Sequence, residues 1–427
     1  MPGYADWEQL YEKELFQLKE EGYDVSGAHV YTDAEISYHE LWKIHGTELR
    51  RDYPYTEPNE YDEIIDASAD LPKLKPLDDK QYNERISGAV YGRIAGIVLG
   101  KPLEMGFDMN TVKSYLQGAE AYPLNDFVPA KSEGSGMTAR NDCIFSTKGN
   151  ISFVQPDDDV NYTLLALLLA ERYGIDFTPE NVGANWLDNI PYHWVWCASR
   201  QAYYHLVNSV EPRQIPTLLN PWRECIDGQI RSDLWGYISP ANPRRAALGA
   251  YRDCSLSLVK NGIYGGMFTA GCISAALSVE PDVEKIIMGG LSVTPKKSRL
   301  AEMVEKVTKW YSQDSDYEKV CVKIYSEWGH LPFAATINNM AIVTLALLHG
   351  NLDYTKTITT AVMCGLDTDC NSGTAGSIVG AAIGFDKIEK RWYIDFNDTI
   401  KSVVASVGEI KITELIKRII KCRISDD

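Results

Sequence analysis

Four glycines recur at every fourth position of the segment GAVYGRIAGIVLG, at Gly88, Gly92, Gly96 and Gly100. In a helix this spacing sets them in one row along one face. Each glycine costs about 1 kcal/mol against alanine in a helix interior, so a row of four demands a packing reason. Close approach of a neighbouring helix supplies one. Residues 361–384 are also enriched in Ala and Gly, which again implies helices that approach closely.

The rest of the chain agrees with that constraint. Beyond residue 80 the apolar periodicity is almost entirely helical, and it predicts helices over 158–173, 179–190, 243–260, 266–279, 297–311, 333–349, 354–364, 371–383 and 410–420. Thr178 and Pro179 make a start signal for the second of these. The fold class is all-α. Residues 1–80 read as an N-terminal extension with two helical patterns, Trp7 to Leu18 and Ile36 to Leu49. A linker with Pro54, Pro58, Pro72 and Pro76 follows, and the main domain spans 81–427. Two irregular regions, 125–150 and 211–242, are candidate lids or rims.

Acidic residues outnumber basic ones 59 to 42 over 427 residues, a net charge of -17. The average surface therefore repels nucleic acid and anionic lipid, and no nucleic-acid groove is expected. An anionic ligand would need a local reversal of the field. The segment Met1 to Leu10 lacks the basic and apolar runs of a targeting signal, and the densest apolar stretch, Leu164 to Ala170, is too short to cross a membrane. Nine cysteines without any C-x-x-C spacing argue against a disulfide framework and against a Cys-type zinc site. Reduced thiols in a cytoplasm are expected.

Two acidic motifs carry chemistry. Asp157, Asp158 and Asp159 precede a strongly apolar helix; they suit an N-cap and the helix dipole, and equally a metal site. In GLDTDCN, Asp367 and Asp369 are one residue apart, which lets two carboxylates converge on one cation or each reach one of a pair. Both flanks of the second motif read as core, where carboxylates are costly unless a cation neutralises them. Oxygen ligands without a His or Cys cluster point to Mg, Mn or Ca. Glu104 follows the glycine row and the Lys101-Pro102 turn, and NGIYGGM (261–267) forms a glycine-bearing helix entrance that could offer N–H groups to a phosphate.

Taken in order, GRIAGIVLGKPLE, DDDVNYTLLALLLAE, NGIYGGM and GLDTDCNSGTAGSIVG resemble the motifs of the ADP-ribosylglycohydrolase family over roughly 82–390. The resemblance implies an orthogonal all-α bundle with two divalent cations, Mg2+ or Mn2+, in a central cleft, and cleavage of the bond to the anomeric carbon of an ADP-ribosyl group. It further implies Asp158, Asp159, Asp367 and Asp369 as metal ligands, with Asp157 standing where the family has Thr. Glu104 is implied near ribose and metals, with Glu104 or Asp369 as base. Asn261, Gly265, Gly266 and Met267 are implied to line the ligand. The implied partner is an ADP-ribosyl-bearing small molecule or modified protein. Three positions depart from the family pattern: Ile97 replaces an Asp, Cys370 a Thr and Phe268 an Arg. Two alternatives stay open, a dinuclear-metal phosphoester hydrolase and a non-catalytic module that binds ADP-ribose or a related nucleotide.

Overall fold

The computed structural model describes residues 3–104 and 107–424. It is all-α; the described strands form only two short antiparallel ribbons, Lys131–Ser132 with Met137–Thr138 and Thr399–Lys401 with Glu409–Lys411. The elements that position the site are α1 (Trp7–Glu20), α2 (Ala34–Trp42), α3 (Tyr61–Ala67), α4 (Asp79–Gly100), α5 (Asp158–Tyr173), α6 (Cys197–Val207), α7 (Lys260–Ala276), α8 (Arg299–Gln313), α9 (Thr336–Gly350) and α10 (Thr368–Ile383).

The glycine row explains the centre of the molecule. A Cβ added at Gly88, Gly92, Gly96 or Gly100 would run into the backbone carbonyl of Gly380, Gly376, Ser372 or Thr368, respectively. As the α4 numbers rise by four the α10 numbers fall by four, so the two helices lie antiparallel with their backbones touching. Gly376 and Gly380 return the favour by making room for the carbonyls of Gly92 and Gly88. The hydroxyls of Ser372 and Thr368 donate to the carbonyls of Gly96 and Gly100 at 2.6 and 2.7 Å. The consequence is positional: the end of α4, with Lys101 and Glu104, must lie beside the start of α10, with Asp367 and Asp369.

The N-terminal segment differs from expectation in two ways. The second helix stops at Trp42, and an isolated bridge between Tyr23 and Leu49 turns the chain back instead. The Pro-rich stretch is laid onto the body, where a solvated linker was expected. Thr56 N–H donates to the Lys297 carbonyl at 2.9 Å, Ser68 bridges Pro295, and α3 buries Ile64 completely. Proline removes only its own donor, and the residues between the prolines supply the donors and the apolar anchor.

A buried charge network fastens this segment. Arg223, fully buried, grips both oxygens of Glu14 at 2.9 and 2.8 Å and Glu21 at 2.6 Å. Lys260 holds the other Glu21 oxygen at 2.8 Å, and Arg299 pairs with Glu57 and Glu224 at 2.6 and 2.7 Å.

Candidate active site

Asp157 caps α5, accepting from the Asp159 N–H at 2.9 Å, so the DDD run is partly the capping device that its position suggests. The same turn does more. α5 and α10 begin side by side, and Asp157, Asp159 and Asp369 each present a carboxylate oxygen within 4.8 Å of the others. Asp367, Asp369 and Cys370 form a second such group, with Asp369 common to both. The Cys370 thiol donates to Asp159 Oδ2 at 3.2 Å and so ties the two acidic motifs together. Motifs about 200 positions apart in sequence are one cluster in space.

Its electrostatics are unbalanced. Asp157, Asp159, Asp367 and Asp369 are all buried, and Asp367 Oδ1 and Asp369 Oδ1 have no hydrogen-bond partner. Burial, then the Asp157 and Asp369 charges, push the Asp158 carboxyl up to about 8. Burial and Asp369 raise Asp367; burial, with Asp369 and Asp158, raises Glu104; burial and Asp157 raise Asp369 against the opposing pull of Lys101. Asp159 rises too, through burial and Asp157, although Arg93 opposes it. Carboxyls that inhibit one another's ionisation in this way mark a place built for added positive charge. Orphaned oxygens of a hard donor set fit Mg2+ or Mn2+.

The protein supplies some positive charge of its own, on residues that the sequence reading passed over. The Lys101 ammonium lies buried against the Asp157 carboxylate and donates to the Pro156 carbonyl at 3.1 Å. Arg140, from the 125–150 region, pairs with Glu104 at 2.6 Å. Arg93 sits 3.5 Å from Asp159 and 2.8 Å from Asp233. Lys101 was read only as part of a turn; its place after the glycine row, one residue before Pro102, was the available signal.

The cluster opens into a cavity of about 420 Å³ lined by Asp158, Asp367, Cys370, Lys101, Glu104 and Arg140, among others. Trp194 and Trp196 also line it, whereas Trp222 borders a different cavity and Trp235 and Tyr237 are buried in the core. Tyr4 lines the cavity as well, so the N-terminal extension reaches this cleft.

Asn261, Gly265, Gly266 and Met267, which the resemblance implies to line the ligand, are not among the residues that line this cavity. The NGIYGGM segment is helix interior, because α7 already starts at Lys260. Gly265 makes room for Thr336, Gly266 for Cys254 and Ser232, and Met267 is fully buried. These glycines serve helix packing, as those of α4 do. Asn261 bonds Glu57 and Glu224 at 2.8 and 2.9 Å beside a larger cavity of about 710 Å³ under α1, away from the acidic cluster. Of the departing residues, Phe268 is core, Ile97 packs against Gly373, and Cys370 faces the acids.

An all-α body with two acidic helix starts meeting beside one cleft is an arrangement that could take divalent cations. The chain belongs to the ADP-ribosylglycohydrolase family, whose model matches residues 78–420. Membership gives it a glycohydrolase-type function in general. No curated protein aligns with it closely enough to count as a match. Among solved structures it is similar to a chain of an "ADP-ribosylglycohydrolase-related protein complex", at 16% identity and a TM-score of 0.50, over 81% of this chain and 98% of that one. That likeness is one of fold. No described helix is long and apolar enough to cross a membrane.

Proposed function

We propose that this chain is a hydrolase dependent on two divalent cations, Mg2+ or in its place Mn2+, that cleaves the glycosidic bond of an ADP-ribosyl group on a small molecule or a modified protein. The observation that carries the reading is the pair of buried, unpartnered oxygens on Asp367 and Asp369 inside a cluster whose carboxyls raise one another's pKa. Asp157, Asp159 and Asp369 would hold one ion, and Asp367, Asp369 and Cys370 the other, with Asp158 at the cavity face. When bound, the ions would supply a grip on the ribose hydroxyls and a water of lowered pKa. A cytoplasmic setting fits the nine free cysteines.

Asp369 belongs to both candidate ligand groups, which favours it as a ligand and Glu104 as the base. Glu104 lines the cavity, is oriented by Arg140, and has a raised pKa, suited to taking a proton from water. Asp158 and Glu104 together place negative charge where an oxocarbenium-like centre would develop. Arg140 and Lys101 supply local positive potential for a pyrophosphate in an otherwise acidic protein.

Incubation of the full chain with ADP-ribosylated peptides and Mg2+ should release free ADP-ribose, read by mass spectrometry, and Glu104→Gln should lower kcat by about 100-fold or more. Release of AMP or phosphate would favour the phosphoester hydrolase. Tight ADP-ribose binding without turnover of any acceptor would favour the binding module.

A further inference from the structure

A second group of metal-type ligands stands beside the same cavity, with Cys197 and Asp227 in its wall and Cys225 behind them, bordering the larger cavity under α1. We propose that Cys197, Cys225 and Asp227 form a zinc site, separate from the acidic cluster, with three protein ligands and a fourth position turned toward the cavity.

One ligand atom from each of the three residues lies within 4.8 Å of the other two. Tetrahedral zinc, with Zn–S near 2.3 Å and Zn–O near 2.0 Å, sets ligand atoms roughly 3.5–3.8 Å apart, so small side-chain rotations close the site. Asp227 is the independent sign that something is bound. Its Oδ1 accepts from both the Ser199 N–H at 3.1 Å and the Ser199 hydroxyl at 2.6 Å, which fixes the carboxylate. Its Oδ2 is buried without any partner, on a residue only 4% exposed. A buried carboxylate oxygen left over beside two thiols is costly unless a cation takes it.

The supports of the site are rigid. Cys197 opens α6, and Cys225 bridges Ala335 while the next residue, Ile226, donates to the Ala334 carbonyl at 2.9 Å. The Arg231 guanidinium donates to the Ser199 hydroxyl at 3.0 Å, so the group that orients Asp227 is itself held. Two thiolates and a carboxylate around one Zn2+ would leave about one negative charge, and Arg231 stands behind it.

The donor set also separates this site from its neighbour. Two sulfurs and one oxygen select zinc or another soft ion, whereas the carboxylates of the cluster select Mg2+ or Mn2+. Cys197 and Tyr4 line the cavity together, so the open position faces the space where a ligand oxygen or a water would sit, with Tyr4 beside it. The adjoining Cys225 thiol, with burial, pushes the Cys197 thiol well up, so thiol protons sit where the metal would bind. Zinc would displace those protons. The spacing argument against a cysteine zinc site fails here because it tests sequence neighbours, and these two cysteines meet only through the fold.

The test uses the full chain stripped of metal, with excess Mg2+ present to occupy the acidic cluster. One equivalent of Co2+, as a spectroscopic probe, should give thiolate-to-cobalt charge-transfer absorption that Zn2+ abolishes. Cys197→Ser and Cys225→Ser should each remove the band and weaken Zn2+ binding in a chelator competition by at least about 100-fold, while Cys370→Ser keeps both. On the unaltered protein Zn2+ should also shield Cys197 from iodoacetamide, read by mass spectrometry, which decides the matter even where a variant fails to fold. Absence of the band in the unaltered protein, its loss in Cys370→Ser alone, lack of shielding, or isolation of Cys197 and Cys225 as a disulfide would each overturn the proposal. None of these readouts depends on hydrolysis, so the glycohydrolase reading can fail without touching this one.

Discussion

Two regions of the molecule bury several acidic side chains, and they treat them in opposite ways. Under α1, Glu14, Glu21, Glu57 and Glu224 meet Arg223, Lys260 and Arg299 at 2.6 to 2.9 Å. Burial raises Glu21, yet Arg223 and Lys260 outweigh it and hold the carboxyl well below its ordinary range; Arg299 does the same for Glu57. Glu14 stays raised, since its burial exceeds the pull of Arg223. At the starts of α5 and α10 the cations are too few: Lys101 meets Asp157 and Arg93 stands 3.5 Å from Asp159, yet Asp158, Asp159, Asp367 and Asp369 all rise. An acid cluster that carries its own cations is a fastening. One that leaves oxygens orphaned is, on the function we propose, a receptor for charge from outside.

Breaking the fastening should give the largest effect. Arg223→Met strands the buried Glu14 and leaves Glu21 to Lys260 alone, and it should cost about 3–5 kcal/mol in urea unfolding, with Mg2+ affinity unchanged in the molecules that remain folded. Breaking the receptor should do the reverse. Asp369→Asn removes the ligand shared by both groups, so Mg2+ affinity should fall about 100-fold, or about 2.7 kcal/mol, by calorimetry, while the metal-free protein becomes no less stable because repulsion is relieved. A stability loss in Asp369→Asn as large as that of Arg223→Met would erase the distinction.

The pH response sharpens the contrast with a smaller effect. A carboxyl raised in the folded state binds its proton more tightly there than in the unfolded chain, so stability is fully present below the unfolded value and declines as pH rises through the folded one. With Asp158 at about 8 against an ordinary 3.8, thermal unfolding of the metal-free protein should ease progressively between about pH 4 and pH 8. Saturating Mg2+ should flatten that slope, and a slope unchanged by Mg2+ would count against the receptor.

The smallest expected effect is at Cys370. A neutral thiol is a poor ligand for a hard ion, so Cys370→Thr should tighten Mg2+ binding by about 1 kcal/mol in calorimetry. Its thiol already faces Asp159, which favours this outcome over a mere packing role. Unchanged affinity with lowered stability would mean that the side chain only fills space.

Features written in short stretches of sequence were legible. The helix expected over 158–173 spans Asp158–Tyr173, and Thr178 with Asn181 forms the capping box before Pro179. The glycine row announced a close helix pair, and the two Asp motifs announced charge without local relief. What stayed hidden depends on distant partners. Lys101, Arg140, Tyr4 and Asp227 acquire meaning only where the fold sets them against the cluster or the thiols. The packing role of Gly265 and Gly266 stayed hidden for the same reason: they read as a helix entrance in a lone segment, whereas here Thr336, Cys254 and Ser232 lie against them within a continuous helix. The Pro-rich stretch carries Glu57, and its packing became visible only with Arg299 and Asn261 around it.

Titration calorimetry of Mg2+ into the chelator-treated full chain near pH 8 tests the central claim most directly. Two equivalents binding saturably in the unaltered protein, retained in Arg223→Met and lost in Asp369→Asn, is the result that the comparison of the two clusters predicts. Absence of saturable binding to the unaltered protein, with its unfolding temperature unmoved by Mg2+, would contradict it.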